Sequence, residues 1–310
     1  MPMQRSGGRP GNKKRRPSPP KSPPSSRPGS RTRTPGRDQP AQASQPSAGG
    51  GRPSAGGGGG RLWLYGRHAV EAALLNPRRT CHRLLATDEA LERLDAQARA
   101  EAPEIQRVER ADLDARLGEH TVHQGLALAV APLPQLSLEK ACAVEPTESE
   151  NDTEPRDAGG AATATVLVLD RVNDPHNLGA ILRSAVAFGV RAVILPHRQS
   201  AELGGATAKA ASGALDMIPI VEVANLSRAL DQLKDLGYWR AGLDGCGAQT
   251  LDEAPRFEKL ALVLGAEGSG IRRLVAEHCD LLLRLPISER MESLNVSVAC
   301  GIALYGLTGR

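Results

Sequence analysis

Apolar positions are absent as a pattern from the first 60 residues and organised over the rest of the chain. Leu62-Trp63-Leu64-Tyr65 is a short apolar and aromatic run that Gly66 breaks. Residues 67–75 then carry helical spacing, which Asn76-Pro77 stops. Asp88 is positioned to cap a helix through residue 99. Residues 105–108 and 126–130 read as strands, with a short helix over 112–117 between them. This pattern predicts a small α/β domain over residues 61–135. It gives way at 136–162 to Glu145, Glu148, Glu150, Asp152 and Glu154 among Thr, Ser, Asn and Pro, ending in Gly159-Gly160. That composition predicts an acidic, flexible linker.

A second domain is predicted over residues 163–310. Val166-Leu167-Val168-Leu169 shows no alternation, as expected of a strand buried on both faces. Asn177 is placed to cap a helix running to about residue 188, with Gly189 just past its end. Strands follow at 191–195, 218–221, 239–243, 260–264 and 281–285. Helices are interleaved at 205–211, 226–236, 271–278 and from about 295 to 307. Strands alternating with helices predict a largely parallel sheet covered on both faces.

Charge divides the 310 residues differently from hydropathy. The formal net charge is +4, but residues 1–60 hold 12 basic residues against the single acid Asp38. They also hold 12 of the 23 prolines, 13 of the 33 glycines and no aromatic residue. Such a segment buries too little apolar surface to offset its chain entropy, so a disordered basic arm is predicted there. The remaining 250 residues carry a net charge of −7. No run of 18 apolar residues exists and the basic start has no apolar core, so neither a membrane span nor a secretory signal is expected. The arm is Arg- and Ser-rich like a mitochondrial presequence, yet its prolines and glycines forbid the amphipathic helix such a sequence needs. The five cysteines are scattered and include no C-x-x-C, which supports neither disulfides nor zinc. A cytoplasmic protein without a metal is expected.

Candidate chemistry sits where strands of the second domain end, as ligand sites do in open α/β sheets. The first segment is Asp170-Arg171-Val172-Asn173-Asp174-Pro175-His176-Asn177-Leu178-Gly179, followed by Arg183. A strand-to-helix path of this kind offers free backbone N–H groups and a positive dipole end to an anion, and Arg183 adds a bidentate donor. A capping Asn and a surface Arg would explain the same residues. The second segment, Gly265-Ala266-Glu267-Gly268-Ser269-Gly270, lacks the Lys of a phosphate-binding P-loop and the spacing of a dinucleotide fingerprint. Its central carboxylate suits a ligand with hydroxyls or positive charge, and its glycines allow close backbone approach. The third, 285–297, runs Leu-Pro-Ile-Ser-Glu-Arg-Met-Glu-Ser-Leu-Asn-Val-Ser into a helix with the small residues Ala299, Cys300, Gly301 and Ala303.

Together, in this order over residues 163–310, the three segments resemble the SpoU (TrmH-like) family of RNA ribose 2′-O-methyltransferases. Residues 64–72 and His123-Gln124-Gly125-Leu126-Ala127 are similar to that family's small substrate-binding domain, of L30e-like fold. The resemblance implies a parallel sheet with a deep C-terminal trefoil knot, a homodimer, and S-adenosyl-L-methionine as methyl donor. It implies that Leu264, Gly265, Gly268, Leu285, Ile287 and Leu294 hold the cofactor. Asn177, Arg183, Glu267, Ser293 and Asn295 are implied as the catalytic or ligand-positioning residues. A guanidinium is not deprotonated in proteins, so Arg183 is read as fixing an RNA phosphate and stabilising a developing alkoxide. Glu289 stands where many relatives have Gly. Cys300 reads as a packing residue. The implied substrate is 23S rRNA, at a guanosine, with tRNA the alternative enzyme substrate and a non-catalytic RNA-binding assembly factor the alternative of another class. Arg67, Arg78 and Arg79 are candidate RNA contacts or an ordinary solvated face.

Overall fold

The computed structural model describes residues 62–143 and 164–308, so the predicted arm and most of the predicted linker lie outside the described residues. The first of its two sheets is built by β1 (Leu62–Tyr65), β2 (Cys81–Ala86), β3 (Ile105–Arg107) and β4 (Leu126–Val130) in the order β1-β4-β2-β3. β4 runs antiparallel to both its neighbours, while β2 and β3 are parallel. Leu64, Leu84, Leu126 and Leu128 are fully buried beneath α1 (Arg67–Leu75). The helix predicted from Asp88 through 99 is instead two short ones, α2 (Asp88–Glu92) and α3 (Ala96–Ala100), with α4 (Arg110–Leu117) following. Thr87, not Asp88, caps α2, and Asp95 interrupts the helical run by accepting the N–H groups of Gln97 and Ala98. Asp88 falls in the first turn, where its charge complements the helix dipole.

The linker prediction also changes at its start. Ser137 caps α5 (Leu138–Cys142), whose Leu138, Ala141 and Cys142 are buried against the second domain's core. The acidic residues at 145–154 lie outside the described residues.

The second sheet is parallel throughout, in the order β7-β6-β5-β10-β8-β11-β9. Its elements run β5 (Ala164–Asp170), α6 (Pro175–Ala187), β6 (Ala192–Pro196), α7 (Gly205–Ala211), α8 (Ala214–Met217), β7 (Ile220–Val223) and α9 (Leu226–Asp235). They continue with β8 (Trp239–Leu243), β9 (Gln249–Thr250), β10 (Lys259–Gly265), α10 (Arg273–Ala276), β11 (Leu281–Arg284) and α11 (Val296–Thr308). β5, β6 and β10 are buried along nearly their whole length, as strands covered on both faces must be. α10 is one turn where a helix over 271–278 was expected, and α8 and β9 carry too few residues to leave a periodic signature.

One connection decides where the third motif lands. β11 does not pair with β10, which precedes it; it lies beyond β8, and Arg240 fixes it there. The Arg240 guanidinium gives Asp280, at the head of β11, hydrogen bonds of 2.9 and 2.5 Å, and its backbone N–H adds a third of 2.9 Å. The chain must therefore return across the sheet's carboxyl edge to bring α11 onto α6.

The two sheets are joined by direct packing. β1 lies on α7, close enough that a Cβ on Gly205 would stand 2.5 Å from the Trp63 carbonyl oxygen. Beside it, Arg79 gives Asp216 two hydrogen bonds, Nε to Oδ1 at 2.7 Å and Nη2 to Oδ2 at 3.0 Å, with both side chains 1% exposed. Asn76 Nδ2 adds a third at 3.0 Å. Arg79 is thus a bridge between the sheets and offers no RNA contact; Arg67 pairs with Glu71 at the surface, and Arg78 is exposed. One layer deeper α7 presses on α6, where a Cβ at Gly179 would collide with Ala210 and the Ala211 backbone.

Candidate active site

The site begins at the carboxyl end of β5. Asp174 accepts the His176 N–H at 2.9 Å and Pro175 occupies the first helical position, so Asp174 is the N-cap of α6. Asn177, predicted as the cap, lies one position short of completing the first turn, and its side-chain amide is released for other partners. β5 and β10 pair residue for residue up to Asp170 opposite Gly265, which sets the first and second motifs side by side.

The glycine loop leaves β10 in a tight reversal. Gly270 N–H donates to Ala266 O at 2.9 Å, and Gly268 and Gly270 adopt φ of 80° and 62°. A Cβ at Gly265 would collide with the Gly270 carbonyl and the Ile271 nitrogen, so the reversal requires glycine there. Asp170, wholly buried, anchors the loop's exit by accepting Arg272 N–H at 2.9 Å and Arg272 Nε at 2.8 Å. Arg272 escaped the sequence reading because it stands as an ordinary charge at the start of the helix expected over 271–278.

The loop's tip reaches the first motif: Asn177 Nδ2 donates to Glu267 Oε2 at 3.2 Å. The third motif completes the contact, since Asn295 Nδ2 donates to Asn177 Oδ1 at 2.9 Å. Asn295 Oδ1 in turn caps α11, accepting Ser297 N–H at 2.9 Å and Ser297 Oγ–H at 2.6 Å. Glu267, Asn177, Asn295 and Ser297 therefore form one continuous relay in which each group's orientation is set by the next. Ser297 was legible only as a polar residue at a helix start.

Arg183 lies on the same helix as Asn177, exposed and without a hydrogen bond or ion pair among the described residues. Ser293 is exposed in the loop and stands outside the relay, as does Glu289. Between residues 285 and 294 the only described backbone–backbone hydrogen bond is Met291 N–H to Ser288 O, at 3.0 Å. The polar backbone groups of Leu285, Ile287 and Leu294 therefore remain free for a ligand, while Leu285 and Leu294 are half-buried and Ile287 is 40% exposed. Leu264 lies buried at the end of β10. Cys300 is fully buried in α11, and burial pushes its thiol up to about 12, so it packs and does not react.

Among the described residues no helix is long and apolar enough to cross a membrane, and no group of three or more His, Cys, Asp or Glu could hold a metal ion. The arrangement instead suits an uncharged or cationic ligand with hydroxyl groups. It offers a glycine cradle, a loop whose backbone groups are largely unpaired among the described residues, and one carboxylate already held by an amide.

Comparison with known proteins agrees with this geometry. Residues 164–305 match the model of the SpoU rRNA Methylase family, and residues 63–136 match that of the RNA 2'-O ribose methyltransferase substrate binding domain. The 23S rRNA (guanosine-2'-O-)-methyltransferase RlmB of Yersinia pestis is 41% identical over 246 residues, covering 78% of this chain and 94% of that protein. The protein of the same name from Escherichia coli K12 is 39% identical over 253 residues, covering 78% and 96%. An AdoMet-bound rRNA methyltransferase from Sinorhizobium meliloti shares the fold, with a TM-score of 0.64 at 22% identity over 80% of this chain and 86% of that one. On these matches the chain belongs to the SpoU rRNA methylase family.

Proposed function

We propose that this protein methylates a ribose 2′-hydroxyl in RNA, at a guanosine of 23S rRNA, with S-adenosyl-L-methionine as methyl donor. The observation that carries the reading is the Glu267–Asn177–Asn295 relay, which gathers three distant motifs at the carboxyl edge of a parallel sheet. The names of the RlmB relatives, each matched over more than nine-tenths of its length, support the substrate. The cofactor, when bound, supplies an electrophilic methyl on a sulfonium. The protein's part is alignment and activation of the nucleophile. Gly265 lets the loop close on itself and Gly268 leaves its own face open, so the loop would cradle the cofactor, which backbone groups around Leu285, Ile287 and Leu294 would help to hold. Asn177, locked between Glu267 and Asn295, presents a fixed polar edge to the reacting ribose. Arg183, unpaired on the same helix, fixes the adjacent phosphate and stabilises the charge growing on the 2′-oxygen; Ser293 contributes from the loop.

The same reading makes residues 61–135 an L30e-like RNA-binding domain, 1–60 a basic arm, the acidic stretch that follows α5 a tether and 163–310 the methyltransferase domain. It makes the return of the chain from β11 to α6 part of a trefoil knot, and the cytoplasmic protein a homodimer. Transfer of tritium from labelled cofactor into separated rRNA and tRNA tests it. Label in 23S rRNA is expected; label in tRNA alone reassigns the substrate, and label in neither leaves an assembly factor. Retention of most of the single-turnover rate by Arg183→Lys would remove the bidentate role of Arg183.

A further inference from the structure

Beyond the carboxyl ends of β6 and β7 the surface opens into a groove of about 1020 Å³ that the relay does not use. His197 and Arg198 line it from the loop after β6, Arg272 and Arg273 from the turn that leaves the glycine loop, and no carboxylate lies on its wall. The acids nearest these cations are Asp170, Glu277 and Glu222. Asp170 is engaged by Arg272 at 2.8 Å and faced by Arg171 at 4.0 Å, so one carboxylate answers two guanidiniums. Glu277 meets Arg273, and Glu222 stands 3.9 Å from His197. Arg198 has no partner among the described residues. Three arginines on a wall without a carboxylate, one of them unpartnered among the described residues, are unexpected in a body that carries −7 over residues 61–310.

Backbone strain marks the same place. Four non-glycine residues among those described adopt left-handed backbone; one of them, Gln199, lines this groove, and another, Arg171, directly follows the Asp170 that holds Arg272. Such conformations are unfavourable for L residues and persist where the surroundings impose them, often at functional sites. Arg171 Nε is moreover buried without a hydrogen-bond acceptor.

We infer that this groove is a track for the phosphate backbone of the RNA substrate, gripped by Arg198 and Arg273 and leading to the relay through the Asp170–Arg272 anchor. The inference rests on the proposed action on RNA. It adds the route by which the strand enters, distinct from both the small domain and the residues of the relay. Guanidinium groups bind phosphate in bidentate fashion without reading sequence, so the track supplies grip and register while base recognition lies elsewhere.

The test uses the full chain, a 23S rRNA transcript and filter binding across a salt series, with tritium transfer measured on the same mixtures. The double variant Arg198→Ala/Arg273→Ala removes two exposed cations and leaves the Asp170–Arg272 anchor intact. It is expected to bind the transcript about tenfold more weakly at low salt, and to flatten the slope of log K against log salt by about 1.4 to 2. Affinity for S-adenosyl-L-methionine should be unchanged, and Arg198→Lys/Arg273→Lys should recover the slope. A double alanine variant with the parent's slope and affinity overturns the track. Parent protein that binds the transcript but transfers no methyl group overturns the proposed reaction instead, and the slopes still decide on the groove. Failure of the parent to bind RNA overturns both.

Discussion

Replacing Asp216 with Ala should be among the most damaging single changes available to this fold. Arg79 and Asp216 are each 1% exposed and joined by two parallel hydrogen bonds, and Asn76 Nδ2 and the Ala131 carbonyl complete their contacts. Truncating the carboxylate strands a guanidinium in a dry interface and leaves the Asn76 amide without its acceptor. Removing one partner of a buried pair costs about 3–5 kcal/mol. In a protein of this size each kcal/mol corresponds to roughly 2–4 °C, so Asp216→Ala should lower Tm by about 6–20 °C. Arg79→Leu should fall in the same range. The double variant Arg79→Leu/Asp216→Ala should be less harmful than the two losses added together, because it buries no unpaired charge. Differential scanning calorimetry on the four proteins closes the cycle, and the two tryptophans, Trp63 in the first sheet and Trp239 in the second, report which half melts. Strict additivity, or a Tm within 2 °C of the parent for Asp216→Ala, would refute the argument. At temperatures where Arg79→Leu stays folded, its RNA-binding salt slope should match the parent's, which separates a structural bridge from an RNA contact.

Three further outcomes follow from the site and its frame. Asn295→Ala removes both the α11 cap, worth about 1 kcal/mol, and the group that orients Asn177; single-turnover methyl transfer should fall at least about tenfold, while far-ultraviolet circular dichroism is retained. Gly265→Ala forces a methyl group into the Gly270 carbonyl and should weaken S-adenosyl-L-methionine binding, read by calorimetric titration, by more than about tenfold, with Gly268→Ala milder because only its φ of 80° opposes the change. Hydrogen bonding from Arg240 holds the Asp280 carboxyl below the ordinary carboxylate value, with burial opposing. Its stabilisation is therefore complete above the unfolded carboxylate's pKa of about 3.9 and is lost as pH falls through the lower folded value. Asp280→Asn should accordingly lose less Tm than the parent between pH 7 and pH 3.

Much of the frame was legible because long strands buried on both faces announce themselves. Residues 166–169 and 260–264 carry unbroken apolar runs, and the helices between them have room for a full period. What escaped was governed by competition among neighbours. Asp174-Pro175 outranks Asn177 as a helix start because proline fixes the first helical φ and Asp174 reaches the next free N–H, and that displacement gives Asn177 its role in the relay. Asp95 splits a continuous helical pattern by the same mechanism. Leu138, Ala141 and Cys142 spell a one-turn helix whose burial is decided by a distant core. The fate of Arg79 was invisible for another reason: its partner lies 137 residues away, and no local rule separates an arginine that will be buried from one that will be solvated. The relay itself could be named residue by residue only through resemblance, since Asn177 and Asn295 are 118 positions apart.

The succession of close contacts from β1 through Gly205 on α7 to Gly179 on α6 leaves no soft layer between the first sheet and the helix that carries Asn177 and Arg183. Bodies joined by backbone-to-backbone approach and a buried ion pair have no hinge to spend. The protein then behaves as a fixed calliper, with one jaw at the small sheet and the other at the relay. An RNA that spanned both jaws would have to possess that span already or bend to reach it, so the cost of misfit would fall on the nucleic acid and shape could be discriminated without reading a base.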